Sequence, residues 1–565
     1  MYVGQAQVKV TVGKNEAFMV KAGVDPPDRV EPSDNPIQLD QKALLSKVLL
    51  NCKIHDRSPV RPGSSARRVA KGSRVLNDVP LMTSAGFHFD NTYLHLPEAL
   101  YSKLSPVPAT KPEMAILNVE LATDMGLDFS NMSPDAQADL FAGNRIPDGA
   151  EPIAQAYAGH QFGHFTMLGD GRAILLGEHL TPSGQRLDVQ FKGSGRTPFS
   201  RGGDGRAAIG PMLREYLISE AMHALNVPTT RSLAVVTTGE TVHREMDLPG
   251  AILTRIASSH IRVGTFQYAA MQQDNELMAT LVDYVIERHY PSIDQDSNKP
   301  LELLKAVIEG QAELMTNWMR VGFIHGVMNT DNVALSGETI DYGPCAFMDA
   351  YDPGTVFSSI DRRGRYAYAN QPNIAQWNLV RFAETLLPLL DDDTEKATEM
   401  AEEALHGFEA LYKDKWFAMM CSKLGLSGGR TENENLVNDL MEWMHEAGAD
   451  YTNTFRDLTE DKLPQGEPYD KKTFKEWHAR WQTQLSRQTK PLESSKSLMR
   501  ANNPSVIPRN HKVEEALDAA TNGDLQPLKD LLAALKEPYG DQADLKPYQS
   551  PPKPEERVHQ TFCGT

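Results

Sequence analysis

The sequence predicts an α+β fold in which a β-rich part precedes a mostly helical part. Two observations predict the first part. Short apolar segments alternate with turn residues from Gly163 to Lys192, and the run from Ala207 to Leu225 has helical spacing. A third observation predicts the second part, because apolar residues recur every three or four positions from Leu301 to Val321.

The composition limits what this chain of 565 residues can bind. Its formal net charge of −18 is a poor match for nucleic acid or an anionic membrane surface. The chain has no apolar run of the roughly 18 residues that span a bilayer. Its N-terminal residues lack a secretory or transit signal, and its four cysteines are too dispersed for a disulfide framework or a zinc site. We expect a cytoplasmic protein with no nucleic-acid or membrane partner.

Three strands are predicted in the β-rich part. They are Gly163 to Leu168, Arg172 to Leu176 and Leu187 to Lys192, joined by turns at Gly169-Asp170-Gly171 and Thr181 to Gly184. In the third strand the period of two places Val189 and Phe191 on the core face. Lys192 therefore ends that strand with its ammonium directed away from the core.

The helix predicted from Ala207 to Leu225 carries Glu215, and two further strands follow at Ser232 to Val236 and Ala251 to Ile256. The resulting order, β-β-β-α-β-β, is that of the small lobe of a protein kinase. In kinases a strand lysine binds the ATP phosphates and a helix glutamate holds that lysine. Lys192 and Glu215 are the candidates for this pair.

The helix from Leu301 leads directly to the motif HGVMNTDN, which ends at Asn332 and is followed by IDYGP. Kinases have H-R-D-x-x-x-x-N here, and a later D-F-G whose Asp binds Mg²⁺. Val327 occupies the position of the catalytic Asp, so Asp331 is the nearest carboxylate that could accept a proton. Asn332 and Asp341 offer hard oxygen ligands for Mg²⁺, or for Mn²⁺ in its place. A plain Asx-rich turn is the alternative.

Glycines and cations elsewhere suggest phosphate binding. Gly169 and Gly171 would let backbone amides approach phosphate oxygens, and Arg172 would add a charge. The loop Gly193 to Gly205 is also rich in glycine and cations. The alternative for the Gly169-Asp170-Gly171 turn is a simple hairpin, and the alternative for the loop is a mobile surface segment. Two more cations, Arg255 and Arg262, are candidates, although position alone favours ordinary ion pairs with surface carboxylates.

These motifs together closely resemble the selenoprotein O family, protein adenylyltransferases built on a bilobal, protein-kinase-like (pseudokinase) fold. The likeness runs from about Phe87 to the C-terminus, through FDNTYL, AYAGHQFGHF, LGDGRA, QFKGSGRTPFSRGGDGRA, HGVMNTDN, IDYGP, NPSVIPRNH and the terminal CGT. The resemblance implies transfer of AMP from ATP to Ser, Thr or Tyr hydroxyls of proteins. It also implies a nucleotide flipped relative to kinases, so that attack falls on the α-phosphorus.

The resemblance also implies roles for individual residues. Asp331 matches the proton acceptor, Asn332 and Asp341 match the Mg²⁺ ligands, and Glu215 matches the residue that pairs with the lysine. Asp341 is also implied to lie near the nucleotide. The ATP-binding positions are matched by Gly169, Gly171, Arg172, Lys192, Asp204, Gly205, Arg255 and Arg262.

Cys563 stands where some relatives carry selenocysteine, and bacterial relatives are thought to pair the tail cysteine with one after the DYG motif. Here that segment contains Phe357, Ser358 and Ser359, and Cys345 lies closer to DYG. The pattern for a redox-controlled disulfide is therefore incomplete.

Four regions are predicted along the chain: an N-terminal extension of unknown role (1–84), a mainly β small lobe with one key helix (85–260), a large helical lobe (261–508), and a helical pair with a cysteine-bearing tail (509–565). Two alternative functions stay open. One is a kinase that transfers the γ-phosphate with Asp331 as base. The other is a catalytically silent ATP-binding scaffold. The presence of Asp331, Asn332 and Asp341 argues against it, because a silent scaffold has no chemical need for all three.

Overall fold

The computed structural model describes residues 85–489, 491–540 and 545–562, so the predicted extension 1–84 and Cys563 lie outside it. The described chain mixes helix and sheet, which confirms the α+β class. Its strands are β1 (Tyr101–Lys103), β2 (Glu113–Leu117), β3 (Ile153–Gln155), β4 (Ala158–Gln161), β5 (His164–Met167), β6 (Ala173–Leu180), β7 (Arg186–Lys192), β8 (Ala207–Ala208), β9 (Arg231–His243), β10 (Asp247–Ala257), β11 (Phe323–Ile324) and β12 (Ala346–Phe347).

The helices begin between the first strands and dominate the chain after β10. They are α1 (Val119–Asp124), α2 (Pro134–Phe141), α3 (Ile209–Ala224), α4 (Val263–Met271), α5 (Asn275–His289), α6 (Lys299–Val321), α7 (Gln371–Leu390), α8 (Thr394–Lys423), α9 (Arg430–Ala447), α10 (Tyr451–Glu460), α11 (Lys472–Arg487), α12 (Leu492–Asn502), α13 (Asn510–Thr521), α14 (Gln526–Leu535) and α15 (Lys546–Gln549). No described helix has the length and apolarity needed to cross a membrane.

The main sheet is antiparallel, with the strand order β1-β3-β6-β7-β10-β9-β2 and with β8 added beside β10. One face carries an apolar core in which Val189 and Phe191 of β7 pack with Ile252 and Ile256 of β10 and with Phe141 of α2. Burying this apolar area is the main force that holds the sheet against its helices.

The other face of β7 is polar but also buried. Asp188, Gln190 and Lys192 point away from the apolar core, as the period of two predicts, yet each is at most 7% exposed. Polar groups that are buried in this way need hydrogen-bond or ion-pair partners, because desolvation without compensation is costly. This face of β7 is where the candidate site lies.

A strand does form within the predicted range Gly163 to Leu168, but the prediction that it joins the strand from Arg172 in one sheet is wrong. Residues His164–Met167 form β5, which pairs with β4 in a separate two-stranded sheet and not with β6. The main sheet instead pairs β6 with β3. The Asp170 carboxylate accepts a hydrogen bond from the Gln155 amide (3.0 Å), so the Gly169–Gly171 turn bonds back to β3.

The long helix α6 positions the loop that follows it. It begins after Asn298, whose side chain accepts from the Leu301 amide, and ends at Gly322 in the left-handed region (φ 73°). The chain then enters β11 and reaches His325. Near the C-terminus, α13 and α14 pack against α3, and Arg214 of α3 forms an ion pair with Glu514.

Candidate active site

Charged side chains from four segments meet on the polar face of β7. Lys192 ends β7, Glu215 lies in α3, Arg255 lies in β10, and Asp341 lies in the loop before β12. Antiparallel pairing sets Leu253 opposite Lys192 and Arg255 opposite Gln190. Side chains at such paired positions share a face of the sheet.

Lys192 is bound by two carboxylates. Its Nζ lies 2.5 Å from Glu215 Oε2 and 2.7 Å from Asp341 Oδ1. The side chains of Lys192 and Glu215 are 9% and 2% exposed, so little water screens the pair. The structure thus brings together the lysine and glutamate that the sequence places in the kinase order.

Arg255 and Arg262 also converge on Asp341. Arg255 Nη1 lies 2.7 Å from Asp341 Oδ1 and 3.1 Å from Glu215 Oε1, and Arg262 Nη1 lies 2.9 Å from Asp341 Oδ2. Both arginine side chains are 2% exposed. The expectation of ordinary pairs with surface carboxylates is therefore wrong, because position along the chain does not show which side chains the fold buries.

Asp341 is the centre of this cluster. Burial raises the pKa of its carboxyl, but Lys192, Arg255 and Arg262 outweigh that effect and hold the pKa well below its usual range. Its backbone lies in the left-handed region (φ 63°), which is uncommon outside glycine. Asp341 is thus a permanent anion among three cations.

Asp331 lies beside the cluster in a different environment. Arg262 Nη1 donates to the Asp331 backbone carbonyl (2.8 Å), while the Asp331 side chain is buried and its Oδ1 has no hydrogen-bond partner in the described part of the chain. Burial raises the pKa of Asp331 to about 6, with the charge of Arg262 opposing the increase. Buried polar atoms without a partner are rare in folded proteins, and a role as proton acceptor is one explanation for this oxygen.

The small sheet β4–β5 holds the loop that carries Asp331. The His160 amide donates to Thr330 Oγ1 (2.7 Å), and the Phe162 amide donates to Asn329 Oδ1 (3.0 Å). Gly159 lies so close that an added Cβ would be 2.5 Å from Asp331 Oδ1. The pairing of β4 with β5, which the sequence did not predict, therefore forms the surroundings of the candidate base Asp331.

Asn332 is anchored by its amide nitrogen, since Nδ2 donates to the Val327 carbonyl (3.0 Å). In the described ranges, no three His, Cys, Asp or Glu side chains are grouped as a metal site. The Asn332 amide oxygen and the Asp341 carboxylate remain the predicted donors, and the carboxylate is paired here with Lys192, Arg255 and Arg262. Both are hard oxygen donors of the kind that Mg²⁺ takes together with waters and phosphate oxygens.

The turn with Gly169 and Gly171 packs under the glycine-rich loop. A Cβ at Gly169 (φ 102°) would lie 2.4 Å from Phe199 Cγ, and one at Gly171 would lie 2.9 Å from the Phe199 carbonyl oxygen. Both positions therefore exclude larger residues. Arg172, next along the chain, is partly exposed.

Asp204 and Gly205 belong to other contacts. Asp204 Oδ2 lies 2.8 Å from Arg244 Nη1, and the pair is partly exposed. Gly205 (φ 70°) lies against the Gly195 backbone, where an added Cβ would be 2.1 Å from the carbonyl oxygen. The hydrogen bonds and ion pairs of Asp204 are thus separate from those around Asp341.

Four residues that support the site were not predicted from the sequence. Gln190 accepts from Arg255 Nη2 (2.6 Å), the Tyr157 ring lies under the Arg262 guanidinium (4.6 Å to the centroid), and Asp188 pairs with His260 (2.9 Å). The period of two in β7 places Asp188 and Gln190 on the face of Lys192, which was a usable signal. Tyr157 and His260 have no comparable signal, because only the fold brings them near.

Comparison with known sequences shows that the chain is a nucleotidyltransferase and also gives its family. The family described as "Protein adenylyltransferase SelO" matches residues 84–536, so the chain belongs to it. Similar proteins named "Protein nucleotidyltransferase YdiU" come from Nitrosococcus oceani (61% identical over 481 residues, 85% of this chain and 98% of the relative) and Alcanivorax borkumensis (60%, 85% and 99%). A relative of the same name from Bacillus thuringiensis is 56% identical over 481 residues, which are 85% of this chain and 99% of the relative. The resemblance inferred from the motifs is confirmed.

Proposed function

We propose that this enzyme transfers AMP from ATP to Ser, Thr or Tyr hydroxyls of proteins. The observation that carries the proposal is the position of Asp331, a buried carboxylate with an unbonded oxygen next to three clustered cations. The family membership supports the reaction class. The strand and helix order around Lys192 and Glu215 supports a two-lobed, kinase-like fold.

Asp331 is the proposed general base. It accepts the proton of the attacking hydroxyl, the hydroxyl oxygen bonds to the α-phosphorus, and the bond to the β-phosphate breaks, releasing pyrophosphate. A pKa near 6 keeps Asp331 ionised at neutral pH and close enough to the working pH to take a proton efficiently. Val327, at the position of the usual kinase base, has no group that accepts a proton.

Lys192, Arg255 and Arg262 are the proposed ligands of the triphosphate. Preorganised cations in a site sheltered from water stabilise the charge that develops during transfer. Glu215 keeps Lys192 in position. Asn332 and Asp341 would hold Mg²⁺, which when bound neutralises phosphate charge and orients the nucleotide.

The remaining binding positions are proposed on the family likeness. Gly169 and Gly171 would present backbone amides to phosphate oxygens, with Arg172 adding charge. Asp204 and Gly205 are also kept as nucleotide-binding positions, although Asp204 pairs with Arg244 here. We further propose that the small lobe ends near residue 260, between β10 and α4, and that α13 begins the C-terminal addition.

The products distinguish the possible reactions. The enzyme is incubated with Mg²⁺, ATP and a mixture of unfolded cell proteins, and pyrophosphate and ADP are both measured. We expect pyrophosphate from the natural protein and from Asp392→Asn, a change at an exposed aspartate, but not from Asp331→Asn. ADP in place of pyrophosphate would favour a kinase. Neither product, with ATP bound, would favour a scaffold.

A further inference from the structure

Arg255 is held in place by a buried histidine that the mechanism above does not use. Arg255 Nε donates to His260 Nε2 (3.2 Å), and His260 Nδ1 lies 2.9 Å from Asp188 Oδ2. The side chains of His260 and Asp188 are 0% and 2% exposed. The three residues thus form a continuous buried chain from β7 to the cluster around Asp341.

The partners of the imidazole fix its protonation. A guanidinium N–H can only donate, so His260 Nε2 must accept, and the proton must lie on Nδ1, facing the Asp188 carboxylate. Burial lowers the pKa of His260 to about 4, which agrees with a neutral ring. A neutral acceptor orients Arg255 without cancelling the positive charge that a phosphate would meet.

The far end of the chain is anchored as well. Asp188 Oδ1 accepts from Arg288 Nη2 (2.6 Å), and Asp188 Oδ2 also accepts from the His260 amide (2.9 Å). The His260 carbonyl in turn accepts from Arg262 Nε (3.2 Å). One residue therefore contacts both arginines of the cluster, Arg255 through its ring and Arg262 through its backbone.

We propose that Asp188 and His260 are positioning residues that orient the Arg255 guanidinium toward the phosphates of the nucleotide. The proposal rests on the proposed function only in taking ATP as the ligand, since it holds whichever phosphorus is attacked. Neither residue touches the nucleotide. They act through Arg255, so their removal weakens nucleotide binding only while Arg255 is present.

The test measures binding of α,β-methylene-ATP with Mg²⁺ by calorimetry, because this analogue cannot transfer AMP. We expect His260→Leu and His260→Phe to weaken binding equally, by about tenfold or more, because both remove the hydrogen bond to the charged Arg255 guanidinium. The two variants fill the space differently, so a packing role would separate them. His289→Leu is the matched control, because His289 Nε2 bonds Ser259 Oγ instead (2.7 Å).

A double-mutant cycle decides whether His260 acts through Arg255. We expect Arg255→Met to weaken binding and His260→Leu to add nothing further in that background. Unchanged binding by His260→Leu or His260→Phe, or full addition of the two effects, would overturn the proposal. If the enzyme released ADP and these binding results still held, only the proposed AMP transfer would fail.

Discussion

Asp331 and Asp341 are chemically identical side chains whose surroundings move their pKa values in opposite directions. Burial raises the pKa of Asp331 to about 6, whereas three cations overcome burial at Asp341 and hold its pKa well below the usual range. Such separation assigns different tasks to two carboxyl groups of one site. The first suits proton transfer, and the second suits permanent charge.

The pKa of Asp331 predicts a pH dependence of activity. We expect kcat/KM to fall as the pH drops below about 6, because a protonated Asp331 cannot accept the hydroxyl proton. The profile is measured with saturating Mg²⁺ and a fixed acceptor protein. Full activity maintained at pH 5 would contradict the assignment of Asp331 as base.

The raised pKa of Asp331 also predicts how stability depends on pH, and the direction is opposite to that of activity. The folded pKa of about 6 exceeds the ordinary value of 3.8, so the folded state binds this proton more tightly. The contribution of Asp331 to stability therefore decreases as the pH rises between these values, by on the order of 3 kcal/mol. Urea unfolding should show Asp331→Asn gaining stability relative to the natural protein at pH 7 but not at pH 3.5.

Gly159 predicts a mutation that moves the base without removing it. In Gly159→Ala the new Cβ would lie 2.5 Å from Asp331 Oδ1 and 2.9 Å from Leu168 Cδ1, so the carboxylate must shift. We expect kcat to fall by about 100-fold, since a misplacement of about 1 Å has that effect, with nucleotide affinity retained. Gly407→Ala, where a Cβ meets no atom within 4 Å, is the control. Unchanged kcat in Gly159→Ala would contradict the placement of Asp331.

At the scale of elements, periodicity in the sequence predicts single strands and helices better than their partners. The predicted helix Leu301 to Val321 is observed as Lys299–Val321, and the alternation in β7 correctly predicts the direction of Lys192. Both signals are local. The pairing of β5 with β4 and the contact of Asp188 with His260 depend on segments that only the folded chain brings together, so no local pattern carries them.

The C-terminal tail forms a parallel bridge with the segment after the DYG motif. The Thr561 amide donates to the Phe357 carbonyl (2.7 Å), the Ser359 amide donates to the Thr561 carbonyl (3.0 Å), and Thr561 Oγ1 bonds the Pro344 carbonyl. These main-chain hydrogen bonds order the segment after the DYG motif only while the tail is bound beside it. The tail therefore stabilises this segment through these hydrogen bonds.

Thr561→Pro tests this bridge, because proline has neither the amide hydrogen nor the hydroxyl. We expect faster hydrogen exchange at the Ser359 amide and a loss of about 1–2 kcal/mol in the free energy of unfolding. Thr561→Ser keeps both donors and should behave like the natural protein. Equal exchange at Ser359 in the two variants would show that the bridge does not form in solution.

At the scale of the whole molecule, an acidic chain concentrates positive charge in one buried place. The net charge is −18, yet Lys192, Arg255 and Arg262 meet only the two carboxylates Glu215 and Asp341 in the central cluster. These ion pairs join three cations to two carboxylates, and Asp331 lies beside them. The three cations are the groups that a triphosphate could contact, so its binding does not require a basic surface.

The relatives predict that the N-terminal extension is dispensable for catalysis. They are matched over 98% or 99% of their own length while covering 85% of this chain, and the family match begins at residue 84. We expect a chain that starts at Ser84, where the family match begins, to keep the kcat and Tm of the full chain. A large loss of kcat in the shortened chain would show that the extension takes part in the reaction.

The central claim is that the α-phosphorus of ATP is attacked with Asp331 as base. The measurement is the transfer of label to protein from ATP labelled at either the α- or the γ-phosphate, with Mg²⁺ and with Asp331→Ala and Asp341→Ala as comparisons. We predict label from the α-position only, lost in both variants. Label from the γ-position only, or α-label retained in Asp331→Ala, would contradict the account.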